Sequence, residues 1–484
     1  MKIKKQWNKL ALASVLVTSS FFGVTPYTSY ANSQTSEGQA HQQQDTSVTA
    51  YGNTEKPKNI IFLVGDGMGP SYNAAYRYFA DNPDTKDMEP TAFDEYLVGS
   101  QRTISADSKD NVTDSAAAAT AFSSGHKTYN GAIGVDSHKQ TVETVLERAK
   151  KLGKSTGLVT TAEVTDATPA AYAAHVDSRD KKDEIATQFY EDRIDSKHKV
   201  DVILGGGAKY FGKENGNLDK KFEKDGYDVV TTKAVLAQSE KSKVLGLFSE
   251  AHMPLQIDAP QDDPQLVDMQ QAALERLSKN DQGFFLMVEG ASIDKQGHAN
   301  DITGVMSEMK SFEKAFDEAM HYAKVHPDTL VIATADHSTG GMTIAKGKDY
   351  LWDAEVVRNM KHSGKWMTEQ IAEGQNISKT IQAGYGFEVD KKDYKVIKKE
   401  ANQLAKLDEK KDKDKYEAQF QVLQDAVQHP INEASHTGWT TYGHTGEDVN
   451  TYAFGPRSEV FEGNIDNTEN AKNIFEFYTE EAPK

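Results

Sequence analysis

From Lys58 onward the chain alternates between two hydrophobic periods. Short unbroken apolar runs occupy 59–64, 156–161, 200–204, 284–288 and 330–334. Runs of that length, without polar alternation, fit strands of a mainly parallel sheet that is covered on both faces. Between them, apolar residues recur at helical spacing. Val142, Val145, Leu146, Ala149 and Leu152 form one such stripe, which Gly153 stops, and 272–277 and 312–323 repeat the pattern. The alternation predicts a three-layer α/β/α sandwich around a large, mostly parallel sheet. From about 345 to 435 the chain becomes charged and Lys-rich, notably in 391–399 and 408–415. That stretch reads as a charged helical insertion with solvated helices. No repeat of fixed period is present.

The first residues follow a different rule. Lys2, Lys4, Lys5 and Lys9 form a basic start, an apolar stretch runs from Leu10 to Val24, and Ser29-Tyr30-Ala31 offers a small-x-Ala cleavage site. Residues 1–31 therefore read as a signal peptide, which places the mature protein outside the cell or in the cell envelope. The rival reading is a retained anchor; apart from this stretch, no run is long enough to span a bilayer. Residues 32–56, rich in Ser, Gln and Thr, read as a disordered linker ahead of a catalytic domain over 57–484.

Charge and composition narrow the function. The 484 residues carry 55 Lys+Arg against 73 Asp+Glu, a net charge of −18. Losing the four lysines of 1–31 would leave −22. That sign disfavours a broad nucleic-acid-binding surface. There is no cysteine, so disulfides, thiolate metal sites and cysteine nucleophiles are excluded. Any metal must be held by carboxylate, imidazole or hydroxyl groups.

Three of the apolar runs end in an acid: Asp66 after Val64-Gly65, Glu289 after Met287-Val288, and Asp336 after Ala333-Thr334-Ala335. Ligands of open α/β sheets bind beyond the carboxyl ends of the strands. Acids converging there repel one another unless a cation neutralises them. One such acid is more simply a solvated turn residue; three together favour a cation site. His337 follows Asp336, and Asp294 precedes His298 by four residues. Such O and N donors suit Zn²⁺, and an all-oxygen set with a Thr suits Mg²⁺. Thr113-Asp114-Ser115 precedes an alanine run. This is an ordinary helix N-cap on the simple reading, and a nucleophile held over a helix N-terminus on the functional one. Thr161–Pro169, with Asp166 and Thr168, follows another strand, and Arg179 lies eleven residues beyond Thr168 as a surface residue or a phosphate clamp. Gly153-Lys154-Ser155 is not a phosphate loop, because Arg148 stands where its first glycine belongs.

Together these segments resemble the alkaline phosphatase family. The matches are 65–69, 113–117, 161–169, 288–298, 334–337 and 444–446 with 454–456, in the family's order. The resemblance implies a phosphomonoesterase with two Zn²⁺ and one Mg²⁺, acting through a phosphoserine on small phosphorylated substrates and releasing inorganic phosphate. By the same resemblance Asp294, His298 and His444 match the first zinc's ligands. Asp66, Asp336 and His337 match the second's, with Ser115 as the remaining partner. Asp66, Thr168 and Glu289 match the magnesium ligands. Asp166 and Lys295 match residues that hold waters near the metal or the phosphate, Asp114 and Lys295 belong to the substrate side, and Arg179 matches the phosphate clamp. His436-Thr-Gly duplicates His444-Thr-Gly, and the spacing to Gly455-Pro456 selects His444. The resemblance also implies a homodimer. The alternatives are a phosphodiesterase or phosphotransferase of the same metalloenzyme superfamily, or a non-catalytic exported metal-binding surface protein.

Overall fold

The computed structural model describes residues 56–479. The expected signal peptide (1–31), and all of the expected linker (32–56) except Lys56, lie outside the described residues. The core is a ten-stranded sheet. From edge to edge its strands are Gly463–Asp466, Leu97–Arg102, Val449–Phe454, Thr329–Thr334, Asn59–Gly65, Phe284–Gly290, Ser155–Glu163, Val202–Gly206, Val244–Leu247 and Asp228–Val230. Seven consecutive strands, from Thr329–Thr334 to Asp228–Val230, run parallel. Val449–Phe454 is antiparallel to both of its neighbours.

The unbroken apolar runs have a direct structural cause. Along the central strand, Ile61 and Leu63 enter one buried cluster, while Ile60, Phe62 and Val64 enter another. Both faces of the sheet are covered by helices, so neither face of a strand can be polar. The stripe from Val142 is helical only over Val145–Lys151. Thr144 caps it, accepting from the Glu147 N–H while the Glu147 carboxylate accepts from the Thr144 N–H, and this reciprocal box fixes the start three residues after Val142.

The charged stretch forms five helices, Ala354–Arg358, Gly364–Ala372, Ile377–Gly384, Lys391–Leu404 and Lys413–Ala434. They are less solvated than their composition implies. Met367, Ile381, Ile397, Leu404, Leu423, Val427 and Ile431 are buried, in the same cluster as the long helix Ile302–Val325. The lysines occupy outward faces, and the inward faces extend the main core. Among the described residues no helix is long and apolar enough to cross a membrane.

Candidate metal centre and nucleophile

Strand register builds the site. Val64 pairs with both Thr334 and Glu289, and Glu289 pairs with Thr160. The carboxyl ends of four adjacent parallel strands are therefore level, and Asp66, Glu289, Asp336 and the turn before Asp166 share one edge. The turn after Asp66 needs glycine. Gly67 has φ +73°, and a Cβ there would lie 2.7 Å from the Asp294 Cα, so a side chain would push Asp294 away. The Gly67 N–H instead donates to Asp336 Oδ1 at 2.9 Å.

Asp294 and His298 sit four apart on the helix Ser292–His298, so one face presents both. His444 arrives on a two-residue strand paired with Ser338–Thr339. Two sets of donor atoms lie within 4.8 Å of one another: Asp294, His298 and His444, and Asp66, Asp294 and His337. Asp336 Oδ2 is 3.2 Å from His337 Nε2, which attaches it to the second set. Backbone carbonyls orient two of the rings: His444 Nδ1 faces the Thr113 carbonyl at 2.9 Å, and His298 Nδ1 faces the Tyr442 carbonyl. With Nδ1–H donating to oxygen, each Nε2 is left as a lone pair aimed at the cluster. His436, the duplicate, has its Nδ1 toward the Lys346 carbonyl at 3.4 Å and belongs to neither set.

Ser115 opens the helix Ser115–Ser124, where its neighbour Asp114 caps Ala117 N–H. That helix packs on Ala167–Ala173, and alanines at the contact let the two approach closely. The Ser115 Oγ lies 3.1 Å from His337 Nε2. Asp114 also accepts from Arg179 Nη1 at 3.0 Å, and Arg179 Nη2 reaches Asp166 Oδ1 at 3.4 Å. Lys295 Nζ approaches the other Asp166 oxygen at 3.3 Å. Arg179 is thus held between two carboxylates beside the serine and is not a free surface residue. Asp114 acts as cap and guanidinium anchor. The thirteen residues singled out in the sequence converge on this edge.

The electrostatics demand a counter-charge. Burial, then the charges of Asp336, Asp294 and Glu289, push Asp66 well above the usual carboxylate range. Burial likewise pushes Glu289 up to about 7, although the Thr160 hydroxyl donates to it. Burial and the neighbouring His337 push His444 down to about 4. Three other carboxyls go the opposite way: against its burial, Lys295, Lys182 and Arg179 hold Asp166 well below its ordinary value, and against theirs the neighbouring histidines hold Asp294 and Asp336 below the usual range. Asp66 Oδ1, Asp336 Oδ2 and Thr168 Oγ1 are buried without a hydrogen-bond partner. Unpaired buried oxygens and facing imidazole lone pairs are costly unless cations complete them. The donor set therefore fits divalent metal ions.

Several contributors escaped the sequence reading. Thr339 donates to Asp294 Oδ1 at 2.5 Å and sits 3.3 Å from His337 Nδ1. Lys182 pairs with Glu163 and stands 3.6 Å from Asp166. The signal for Lys182 was its place three residues after Arg179, in a cationic run that looks solvated. No sequence signal marks Thr339.

Known proteins share this architecture. Residues 57–479 match the alkaline phosphatase family. Alkaline phosphatase 3 of Bacillus subtilis (strain 168) is 48% identical over 424 residues, covering 88% of this chain and 89% of that protein. The cold-active alkaline phosphatase of Shewanella sp. superposes with a TM-score of 0.79 at 39% identity, over 87% of this chain and 100% of that one. A variant of the TAB5 alkaline phosphatase, solved with Mg bound in its M3 site, gives a TM-score of 0.63 at 27% identity, over 89% and 100%. With the fold matched and nearly the whole described chain covered, the protein belongs to the alkaline phosphatase family and is a phosphatase.

Proposed function

We propose that the protein is a metal-dependent phosphomonoesterase that works through a phosphoserine on Ser115, with two Zn²⁺ and one Mg²⁺ as its ions. Asp294, His298 and His444 would hold one zinc, and Asp66, Asp336 and His337 the other. Asp66, Thr168 and Glu289, an all-oxygen set, would hold magnesium. When bound, these ions supply Lewis-acid charge for the attacking and departing oxygens.

The chain's own groups account for the remaining steps. Arg179 offers two parallel N–H donors to the non-bridging phosphate oxygens, while Asp114 and Asp166 keep its plane fixed. Lys295 adds a second positive charge beside Asp166. Ser115 loses its hydroxyl proton to solvent water and its Oγ attacks phosphorus, forming the O–P bond as the ester O–P bond breaks and the departing oxygen takes a proton from solvent to become the alcohol. The alcohol leaves toward His298, whose side chain is 41% exposed. Water entering from that side cleaves the phosphoserine, which returns the Ser115 hydroxyl and releases inorganic phosphate.

The observation that carries this reading is the Ser115 Oγ lying 3.1 Å from His337 Nε2 at a helix start. Chelation should abolish hydrolysis of a phosphate monoester, and Zn²⁺ plus Mg²⁺ together should restore it. Ser115→Ala should lose turnover by at least about 10³-fold, with metal content intact. Full rescue by Mg²⁺ alone, activity in Ser115→Ala, or faster cleavage of a diester than of a monoester would overturn the assignment. Secretion through residues 1–31, broad acceptance of alcohols and a homodimer belong to the same reading. N-terminal sequencing of the exported protein and sedimentation analysis test the first and last.

A further inference from the structure

The charged insertion grips the turn that follows His298. Asp301, three residues past that histidine, is fully buried and caps two helices with one carboxylate. Its Oδ1 accepts the Thr303 and Gly304 N–H groups, each at 3.1 Å, at the start of Ile302–Val325. Its Oδ2 accepts the Gly364 N–H at 2.7 Å and the Lys365 N–H at 3.3 Å, from the first two residues of the insertion helix Gly364–Ala372. Helix starts leave such N–H groups without partners inside the helix, so this one anion ties the insertion to the catalytic core. Gly364 allows the approach: a Cβ there would lie 2.5 Å from Gln428 Cγ and 3.1 Å from Asp301 Oδ2.

A second grip falls one residue earlier. Asn432, near the end of the insertion helix Lys413–Ala434, donates from Nδ2 to the Asn300 carbonyl at 3.2 Å and accepts from Trp439 Nε1 at 3.1 Å. Three residues on from Trp439, the Tyr442 carbonyl accepts from His298 Nδ1. Asn432 therefore braces both the turn after His298 and the segment that orients its ring. The His298 ring has need of such support. It stands on the last residue of the seven-residue helix Ser292–His298, and its side chain is 41% exposed, against 15% for His444 and 0% for His337.

We propose that the insertion sets ion retention at one zinc site: through the positioning residues Asp301 and Asn432 it fixes the turn 299–301, and with it the His298 ring beside Asp294 and His444. The inference rests on the ion assignment above and gives the 345–435 stretch a part in it. A ligand ring that is already held in place gives up less freedom when an ion binds. Loosening its support therefore lowers affinity while every donor atom remains. Asp66 and Asp336 instead follow strands at the level edge of the sheet, so the set that contains them keeps its affinity when the insertion's grip is relaxed.

Competition of the full-length, Mg²⁺-supplied protein against a chromophoric zinc chelator reads the two zinc affinities separately. Asn432→Leu removes both hydrogen bonds, and Asn432→Asp keeps the acceptor for Trp439 but cannot donate to the Asn300 carbonyl. Each should weaken one zinc by about tenfold and leave the other within about twofold. Hydrolysis of a phosphate monoester by either variant should return to the wild-type kcat once free Zn²⁺ is raised by about tenfold. Asp301→Asn should act in the same direction, and the half-buried Asn432 position guards against a folding defect in that variant. Both affinities falling together, or neither changing, overturns the positioning role while the ion assignment stands. A wild-type protein that takes up no zinc removes the ion assignment, and the positioning role with it.

Discussion

The Nε2 atoms of His298 and His444 lie 3.0 Å apart, while the Nδ1 of each ring faces a backbone carbonyl. Two neutral imidazoles so arranged point lone pairs at each other, and Asp294 adds a carboxylate 3.4 Å from one and 3.6 Å from the other. Removing bound cations should therefore loosen the fold as well as stop turnover. Binding at a thousandfold over Kd would contribute about 4 kcal/mol. Calorimetric melting with and without chelator should show a clear drop that reloading reverses; an unchanged melting temperature would contradict ion binding here.

Arg179 offers a cleaner test of substrate binding. Its guanidinium bridges Asp114 and Asp166 beside Ser115. Arg179→Ala should raise KM for a phosphate monoester by about 10- to 100-fold and weaken inhibition by inorganic phosphate to a similar degree. Arg179→Lys should recover only part of this, because an ammonium cannot make the paired contact. Steady-state kinetics with phosphate as inhibitor reads both.

Away from the metal edge, Glu308 makes stability depend on pH. It is buried on the helix Ile302–Val325 and accepts the Gln256 N–H at 2.7 Å. Burial pushes its carboxyl up to about 7, from an ordinary value of 4.5. A raised folded-state value means that the native protein holds the proton more tightly, so stability falls as pH climbs from about 4.5 through about 7. Glu308→Gln keeps the acceptor and cannot ionise. It should stabilise the protein at pH 8 by up to about 3 kcal/mol and change little at pH 5. Denaturant titrations at the two pH values measure the difference.

The sequence reveals the middle of the sheet better than its margins. Strands such as Asn59–Gly65 and Phe284–Gly290 read clearly because burial on both faces leaves no place for a polar residue. Leu97–Arg102 and Gly463–Asp466, at one margin, are half solvated and contain polar residues, and Val449–Phe454 runs against its neighbours. None has the unbroken apolar run that marks a doubly covered strand. At the site, the acids at strand ends were legible because unpaired charge at that edge needs an explanation. The separate roles of Asp294, His298 and His444 came only with the resemblance, since spacing alone does not join residue 294 to residue 444. Thr339 left no trace in the sequence, because its importance lies in the Asp294 carboxylate and the His337 ring that three-dimensional packing sets beside it.

His444 enters on a strand near the chain's carboxyl end, paired with Ser338–Thr339 and hydrogen-bonded to Thr113. A ribosome that has not yet reached residue 444 holds a chain whose cation-holding groups are still one imidazole short. The donor set around Asp294 is thus closed by a segment 150 residues further along the chain, so no local stretch of sequence can assemble it alone.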